Sequence, residues 1–230
     1  MTMATAAPRR AAILAVASWD RPDVNIGLDD PWQFAVSRSF VHDVISVLLL
    51  SPLIHDIFVV TSDAAVRTDL APWDVTFVDD PGRGVDAALR SGRDHVVAGG
   101  SHDHVLILGR DLPCITTDGI EALCESAAAH RHAFCPDVDV RFPSVILSAD
   151  PSTLPIITGA GASTALRTSG VALIDDADRC MRRGVRSRQH LFEVDRLGVG
   201  SHTRATLLEL GRAMARIGTR PASRRRATAS

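Results

Sequence analysis

Short apolar runs alternate along the chain with longer segments in which apolar residues recur at helical spacing. The pattern predicts strands at 11–18, 56–63, 75–80, 104–111, 133–139, 142–149 and 190–195, and helices at 34–51, 85–100, 116–131, 175–184 and 201–218. Strands that alternate with helices of this length are typical of βαβ units. We therefore expect an α/β protein with three layers, in which helices cover both faces of a mostly parallel, Rossmann-like sheet.

The length of 230 residues suits one large domain. No internal repeat or linker interrupts the pattern, so we expect a single domain over 1–218. The remaining stretch, 219–230, is rich in Arg, Ser and Ala, which predicts a disordered tail.

Composition narrows the function classes. The formal charge of −2 gives no basic field for nucleic acid, and no apolar run approaches the roughly 20 residues that span a bilayer, so we expect neither partner. The four cysteines lack metal spacing and indicate reduced, mostly buried thiols of a cytoplasmic protein. The chain has no HExxH, GxSxG or Walker motif, which leaves zinc-protease, hydrolase and P-loop functions without support.

Two aspartates are candidates for carboxylates displayed at the ligand-binding edge of the sheet. The runs HVLILGRD and HLFEVD end in Asp111 and Asp195, and ligands of parallel sheets bind outside the carboxyl ends of the strands. Mg²⁺ usually takes one or two carboxylates together with phosphates and water. The pair therefore predicts a magnesium site for a nucleotide. The alternative is that each carboxylate opens a turn or caps a helix.

The segment DDPGRGVDAALRSG (79–92) is a second candidate for chemistry, because two glycines precede a predicted helix. Gly82 and Gly84 permit close approach of the backbone, so the helix N-terminus could face a base or an anion. A simple Pro-Gly turn explains the same glycines. Both interpretations stay open.

Several motifs, taken in order, resemble those of the MobA-type nucleotidyltransferases. VVTSD, VDDPGRGVDAAL, VLILGRDLP, CPD and a late EVD follow one another along the chain. The resemblance is to the 2-phospho-L-lactate guanylyltransferases of deazaflavin coenzyme biosynthesis in particular. It implies the nucleotide-diphospho-sugar transferase fold. It also implies Mg²⁺-dependent transfer of a nucleoside monophosphate, from GTP in preference, onto a small phosphate- or phosphonate-bearing acceptor with release of pyrophosphate.

The resemblance also implies roles for individual residues. Asp111 matches the metal-binding aspartate of the family, and Asp195, or alternatively Glu193, falls where the family keeps its second metal carboxylate. Arg21 is expected to hold the triphosphate and is, with Asp111, the predicted catalytic pair. The residues expected at the nucleotide are Ala17, Ser18, Gly82, Arg83, Gly84, Asp86 and Arg110. Those expected at the acceptor are Asp137 and Ser163.

The chain departs from the family pattern at four places, one of which is Arg110, where the family has alanine. The family's first loop carries Lys and Arg, whereas 14–34 has only Arg21 and the chain contains no lysine. VRFPS (140–144) stands where the family has its acceptor-binding Gly-Thr-Gly-Thr-Asn stretch. Asp86 replaces the family's asparagine and can accept hydrogen bonds but not donate them.

Because of these departures, two further hypotheses stand beside the guanylyltransferase. One is a cytidylyltransferase resembling the methylerythritol-phosphate enzyme. The other is a non-catalytic member that acts as a binding or regulatory domain. The expected partners are an NTP and a small phosphorylated substrate, and a homodimer is an open alternative to a monomer.

Overall fold

Seven strands form one sheet in the structure, a computed structural model that describes residues 7–20 and 25–218, the last two without their side chains. The strands are β1 (Arg10–Ala15), β2 (Asp56–Val60), β3 (Thr76–Val78), β4 (His104–Leu108), β5 (His132–Pro136), β6 (Pro143–Ser148) and β7 (Ala172–Leu173). Their order across the sheet is β3-β2-β1-β4-β6-β5-β7. Strand β6 runs antiparallel to β4 and β5, and the other pairs are parallel. The predicted mostly parallel sheet is confirmed.

Eight helices accompany this sheet among the described residues. They are α1 (Asp30–Leu50), α2 (Ala64–Leu70), α3 (Val85–Gly99), α4 (Thr117–Ala127), α5 (Ala162–Thr168), α6 (Arg179–Arg182), α7 (Arg188–Leu197) and α8 (Ser201–Gly218). The five helices that the sequence predicts are all present, although the one predicted at 175–184 is reduced to the single turn of α6. The predicted tail at 219–230 lies outside the described residues.

Alternate residues of β1 divide the core into two layers. Ala12 and Leu14 pack on one face of the sheet in a cluster that includes apolar residues of α1, α2 and α4. Ala11 and Ile13 pack on the opposite face in a cluster that includes residues of α3 and α5. Because side chains alternate along a strand, one buried apolar run supplies both interfaces. The predicted three-layer α/β/α arrangement is confirmed.

The strand predicted at 190–195 is wrong, because these residues belong to α7. Ser187 caps the helix by accepting a hydrogen bond from the backbone N–H of His190 at 3.2 Å. Leu191 and Val194, three positions apart, are buried, while Phe192 is 61% exposed. The buried positions thus follow a helical period, which a six-residue window does not distinguish from strand alternation.

Helix α1 is long and apolar enough, by length and composition, to cross a bilayer, but half of its most apolar window is buried in this fold. It packs Val41, Val44 and Ile45 against the sheet. It also anchors α8, because the buried Asp43 accepts hydrogen bonds from the backbone N–H groups of His202 and Thr203 at 2.9 and 3.0 Å. Helix α1 is therefore a core element of the fold.

Candidate active site

A cavity of about 440 Å³ opens at the carboxyl ends of β1 and β4, where the α/β arrangement places ligands. We call it the arginine cavity. Strands β1 and β4 and the turn after β4 contribute Ala15, Ile107, Leu108, Gly109, Arg110 and Asp111. The opposite wall includes Phe142 and Ser144 near the start of β6, Thr158 and Gly159 from the loop before α5, and Val185 and Arg186 from the segment after α6.

The guanidinium of Arg186 bridges two carboxylates beside this cavity. Its Nε lies 3.2 Å from Oδ2 of Asp111, and its Nη1 lies 3.1 Å from Oδ2 of Asp137. The same guanidinium is centred 4.1 Å above the ring of Phe142, a cation–π arrangement. Three groups therefore fix one positive charge at the strand ends.

Asp137 is engaged on both of its oxygens. Oδ1 accepts hydrogen bonds from the backbone N–H groups of Arg141 and Phe142 at 2.7 and 3.2 Å, while Oδ2 meets Arg186. Its side chain is only 6% exposed. This predicted acceptor ligand thus organises the turn that leads into β6, and its carboxylate is turned away from solvent.

Two glycines make room for the carboxylate of Asp111. A Cβ at Gly109 would lie 2.8 Å from Oδ1, and a Cβ at Gly184 would lie 2.8 Å from Oδ2. Such distances are shorter than real Cβ contacts, so any side chain at either position would displace the carboxylate. The backbone N–H of Val185 also donates to the carbonyl of Asp111 at 2.9 Å, which joins the segment after α6 to the turn after β4.

A second recess of about 510 Å³ adjoins the end of β1. We call it the acidic cleft. It is lined by Ala17, Ser18, Asp20, Ser62, Asp63, Asp80 and Gly82. The structure thus brings together three of the predicted nucleotide residues, Ala17, Ser18 and Gly82, with three aspartates. The two recesses are neighbours, because Ala15 lines one and Ala17 lines the other.

Neutral donors hold the carboxylates of the acidic cleft. A hydrogen bond with Ser18 is the main cause that lowers the pKa of Asp63. Burial opposes this shift, and the backbone N–H groups of Val66 and Ala65 add to it. Asp63 is also the N-cap of α2. Oδ1 of Asp80 accepts from the backbone N–H of Gly82 at 2.8 Å. Because the groups that hold these carboxylates are uncharged, their negative charge is retained.

Asp86 and Ser163, predicted at the nucleotide and the acceptor, differ in how the protein engages them. Asp86, in the first turn of α3, accepts hydrogen bonds from the hydroxyl and the backbone N–H of Thr158, the latter at 3.1 Å. It ties the Gly-rich loop at 155–164 to the helix. Ser163 is buried within α5, and among the described residues its hydroxyl has no hydrogen-bond partner.

The other predicted residues are spread around the sheet edge. Gly84 is the N-cap of α3 with φ 89°, and Arg110 lines the arginine cavity. Arg83 lines a separate recess with Arg90. Arg21 lies outside the described residues, so its proposed role stays a prediction.

The predicted metal ligands Asp111 and Asp195 do not line the same cavity in this structure. Asp195 is exposed on α7 and is not among the residues that line the arginine cavity. In the part of the chain that the structure describes, no group of three or more His, Cys, Asp or Glu side chains is placed to hold a metal ion. Asp111 faces Arg186 instead, so these residues do not fit a divalent metal at Asp111.

The cysteines contribute no nucleophile. Burial raises the pKa of Cys114 and of Cys135 to about 12, and that of the half-buried Cys180 to about 11. All four cysteines are free thiols, as the sequence predicted. At neutral pH the three with these raised pKa values are protonated and hence unreactive.

Sequence reasoning missed Arg186, Phe142 and Gly184. The sequence contained one indication of a site here. The run MRRGVRSR (181–188) has four arginines around a glycine, where no predicted strand or long helix requires them. That run shows neither which carboxylate an arginine meets nor which ring it covers. Those contacts arise only when the segment docks on the turn after β4.

Comparison with known proteins defines the class. Residues 37–186 match the family model of the MobA-like NTP transferase domain, and the chain belongs to that family. It is 30% identical over 184 residues to a phosphoenolpyruvate guanylyltransferase of Streptomyces coelicolor, which covers 79% of this chain and 87% of the relative. A protein of the same name from Geodermatophilus obscurus is 29% identical, over 72% of this chain and 75% of the relative. The predicted family resemblance is confirmed.

Solved structures agree with this fold. A 4-diphosphocytidyl-2C-methyl-D-erythritol synthase superposes with a TM-score of 0.60 at 16% identity, over 83% of this chain and 99% of that one. A nucleotidyl transferase from Methanothermobacter thermautotrophicus gives 0.58 at 14% identity, over 82% and 97% of the two chains. At this identity the likeness concerns the fold alone.

Proposed function

We propose that this protein transfers GMP from GTP onto a small phosphate-bearing acid, with phosphoenolpyruvate as the first acceptor to test. A phosphate oxygen of the acceptor would attack the α-phosphorus of GTP, and the bond to the departing pyrophosphate would break. No covalent enzyme intermediate is needed. The observation that carries the proposal is the pair of adjoining recesses at the sheet edge, one acidic and one bordered by arginine.

The acidic cleft supports guanine as the base. Guanine presents two adjacent donors, its ring N1–H and its 2-amino group, and ionised carboxylates act only as acceptors. Asp63 and Asp80 supply such acceptors next to Ser18. Cytosine offers one amino donor and two acceptors, which a carboxylate-lined cleft complements less well. A cytidylyltransferase is therefore the second candidate among enzymes.

The arginine cavity supports a small acid as acceptor. Its volume of about 440 Å³ lies in the range of small-molecule sites, and Arg110 and Arg186 border it. Arginine recognises planar carboxylates and phosphates with paired N–H groups. The relatives named phosphoenolpyruvate guanylyltransferase make phosphoenolpyruvate the natural first choice.

A non-catalytic binding protein is the alternative from another class, favoured by one observation. The predicted catalytic carboxylate, Asp111, is paired with Arg186. Such a protein would bind the same two ligands without joining them.

The experiment is a matrix of nucleotides and acceptors. GTP, CTP, ATP and UTP are each combined with phosphoenolpyruvate, 2-phospho-L-lactate and methylerythritol phosphate, with and without Mg²⁺. Pyrophosphate release and the ³¹P NMR signal of the new diphosphate are measured. We expect turnover with GTP and phosphoenolpyruvate. Turnover only with CTP would replace the guanylyltransferase by the cytidylyltransferase, and binding without turnover in every combination would replace it by the non-catalytic member.

A further inference from the structure

We propose that the guanidinium of Arg186 is a built-in cation standing where a divalent metal would meet Asp111, and that the arginine cavity takes a phosphate group without a metal at that carboxylate. The exclusion of the metal stands on the structure of the site alone. The identity of the phosphate-bearing ligand rests on the proposed function.

The position of Arg186 is over-determined. Asp111 holds Nε at 3.2 Å, Asp137 holds Nη1 at 3.1 Å, and the ring of Phe142 covers one face of the guanidinium at 4.1 Å. The side chain is 22% exposed, and Arg186 also lines the cavity. A guanidinium stays charged at all physiological pH values, so this cation is permanent.

A metal at Asp111 would have to compete with that charge. Mg²⁺ binds carboxylate oxygens at about 2.0–2.1 Å and demands a nearly complete octahedron of oxygens. Any such ion on Oδ2 of Asp111 would lie beside a fixed like charge. The glycines at 109 and 184 enclose the same carboxylate, and the oxygens of Asp137 are already used by two backbone N–H groups and Arg186. Oδ2 of Asp111 and both oxygens of Asp137 are thus already engaged.

The same arrangement leaves the guanidinium able to bind an anion. It has five N–H donors, and the two carboxylates engage only its Nε and one Nη. The remaining donors belong to a side chain on the wall of the cavity, next to Arg110 and Ser144. A phosphate or carboxylate group there would accept hydrogen bonds from the donors that Asp111 and Asp137 leave unused.

Binding of Mn²⁺ in the absence of nucleotide tests whether Arg186 excludes a divalent metal from Asp111. Free Mn²⁺ is followed by electron paramagnetic resonance while it is titrated against the wild type, D111N, R186Q, R186Q/D111N and R141Q. We expect the wild type, D111N and R141Q to give the same weak curve, because Asp111 is not available to the ion. R186Q should bind Mn²⁺ on the order of tenfold more tightly, and R186Q/D111N should lose that gain.

Two outcomes would overturn the proposal: tighter Mn²⁺ binding by the wild type than by D111N, or no gain in a folded R186Q. R141Q removes a neighbouring arginine charge from the same turn without unpairing Asp111, so a gain there would point to net charge rather than to the site. If circular dichroism shows that R186Q is unfolded, the comparison of the wild type with D111N still decides.

Binding of phosphoenolpyruvate tests the second part of the proposal, that the arginine cavity takes a phosphate group without a metal. The rise in melting temperature that it produces in the wild type is measured in EDTA and in Mg²⁺. We expect equal shifts, and a shift confined to Mg²⁺ would contradict metal-independent binding. No shift in either buffer would refute phosphoenolpyruvate as the ligand and with it the proposed acceptor, while the Mn²⁺ titration would still judge the role of Arg186.

Discussion

The acidic cleft and the arginine cavity lie side by side at one sheet edge, yet their carboxylates are held in opposite ways. In the cleft, the Ser18 hydroxyl and backbone N–H groups hold Asp63, and the backbone of Gly82 meets Asp80. In the cavity, the guanidinium of Arg186 forms ion pairs with Asp111 and Asp137. Neutral donors leave the charge of both carboxylates uncompensated, whereas the guanidinium offsets one of the two charges in the cavity.

This difference separates the ligand chemistry of the two recesses. A cleft that keeps its negative charge attracts groups rich in N–H donors and repels phosphates. A cavity whose carboxylates are paired with a guanidinium, and which has Arg110 and Arg186 on its wall, is better suited to an anion. Together, the two recesses favour a nucleotide base in the acidic cleft and a phosphate-bearing acid in the arginine cavity.

Arg186→Gln is expected to have the largest effect on this difference between the two recesses. Without the guanidinium, Asp111 and Asp137 are left as two largely buried carboxylates, 18% and 6% exposed, with no counter-charge between them. We expect the free energy of unfolding to fall by about 3 kcal/mol, as when one partner of a buried ion pair is removed. Urea unfolding at neutral pH measures this.

Arg141→Gln is the matched control, because Arg141 is exposed in the same turn and its guanidinium is 5.7 Å from the ring of Phe142. Its loss should change the free energy of unfolding by less than about 0.5 kcal/mol. Equal effects of the two substitutions would mean that the cavity carboxylates do not depend on Arg186.

Gly184→Ala tests the same carboxylate without changing any charge. The new Cβ would fall 2.8 Å from Oδ2 of Asp111, so the carboxylate must move and its contact with Arg186 must lengthen. Overpacking of this kind costs about 1–3 kcal/mol. We expect a lower midpoint of urea unfolding together with weaker binding of phosphoenolpyruvate.

Gly99→Ala is the control for that substitution, since Gly99 ends α3 and a Cβ there meets nothing within 4 Å. It should leave stability unchanged or raise it by up to about 1 kcal/mol. If alanine at Gly184 and at Gly99 changes the free energy of unfolding equally, the carboxylate of Asp111 is not packed as tightly as the structure indicates.

The sheet was predictable from sequence because its strands are buried and alternate with helices. Asp111 was predictable in position, since the acid lies three residues after the buried run Val105 to Leu108 of β4. Helices α2 and α5 were not, because seven residues give too few turns for a period to be recognised. Helix α7 was mistaken for a strand because its polar and apolar residues alternate over 192–195, a window too short to show the helical period.

The partner of Asp111 could not be predicted. Arg186 reaches Asp111 only because the segment after α6 docks through the hydrogen bond between Val185 and Asp111. No local pattern encodes that contact between residues so far apart in the chain. An expectation of Asp195 as neighbour came from its position in a motif, and the helical conformation of α7 leaves that carboxylate exposed.

Asp63→Ala tests the other recess, the acidic cleft. It removes the N-cap of α2, which accepts from the backbone N–H of Ala65 at 2.7 Å, and should cost about 1 kcal/mol at neutral pH. Because the pKa of Asp63 is lowered below its ordinary value of 3.8, its ionised form stabilises the fold above that pH. The stabilisation is lost as the pH falls through the lowered pKa.

Thermal unfolding of Asp63→Ala and the wild type between pH 7 and the onset of acid unfolding measures this difference. The gap between them should narrow toward the acid end. Asp20→Ala is the control, since it removes a carboxylate from the same cleft without uncapping a helix. A gap that is constant with pH would show that the charge of Asp63 does not contribute.

The smallest expected effect concerns the turns that carry the two recesses. In the acidic cleft, the residue with a positive φ is a glycine, Gly82 at 69°. In the turn that holds Asp137 and Phe142, a positive φ of 56° belongs to Val140. A β-branched residue in this region is strained. Val140→Gly should therefore raise the free energy of unfolding by about 0.5–1 kcal/mol, after the entropy of glycine in the unfolded chain is subtracted.

Val97→Gly is the matched control, because Val97 is similarly exposed but lies in α3 with ordinary helical geometry. It should lower stability by about 0.5–1 kcal/mol, opposite in sign to Val140→Gly. Urea unfolding distinguishes the two. A loss of stability in Val140→Gly would mean that the valine side chain, 44% exposed, contributes more to holding the turn than its backbone strain costs. The arginine cavity would then depend on Val140 to keep Phe142 under the guanidinium.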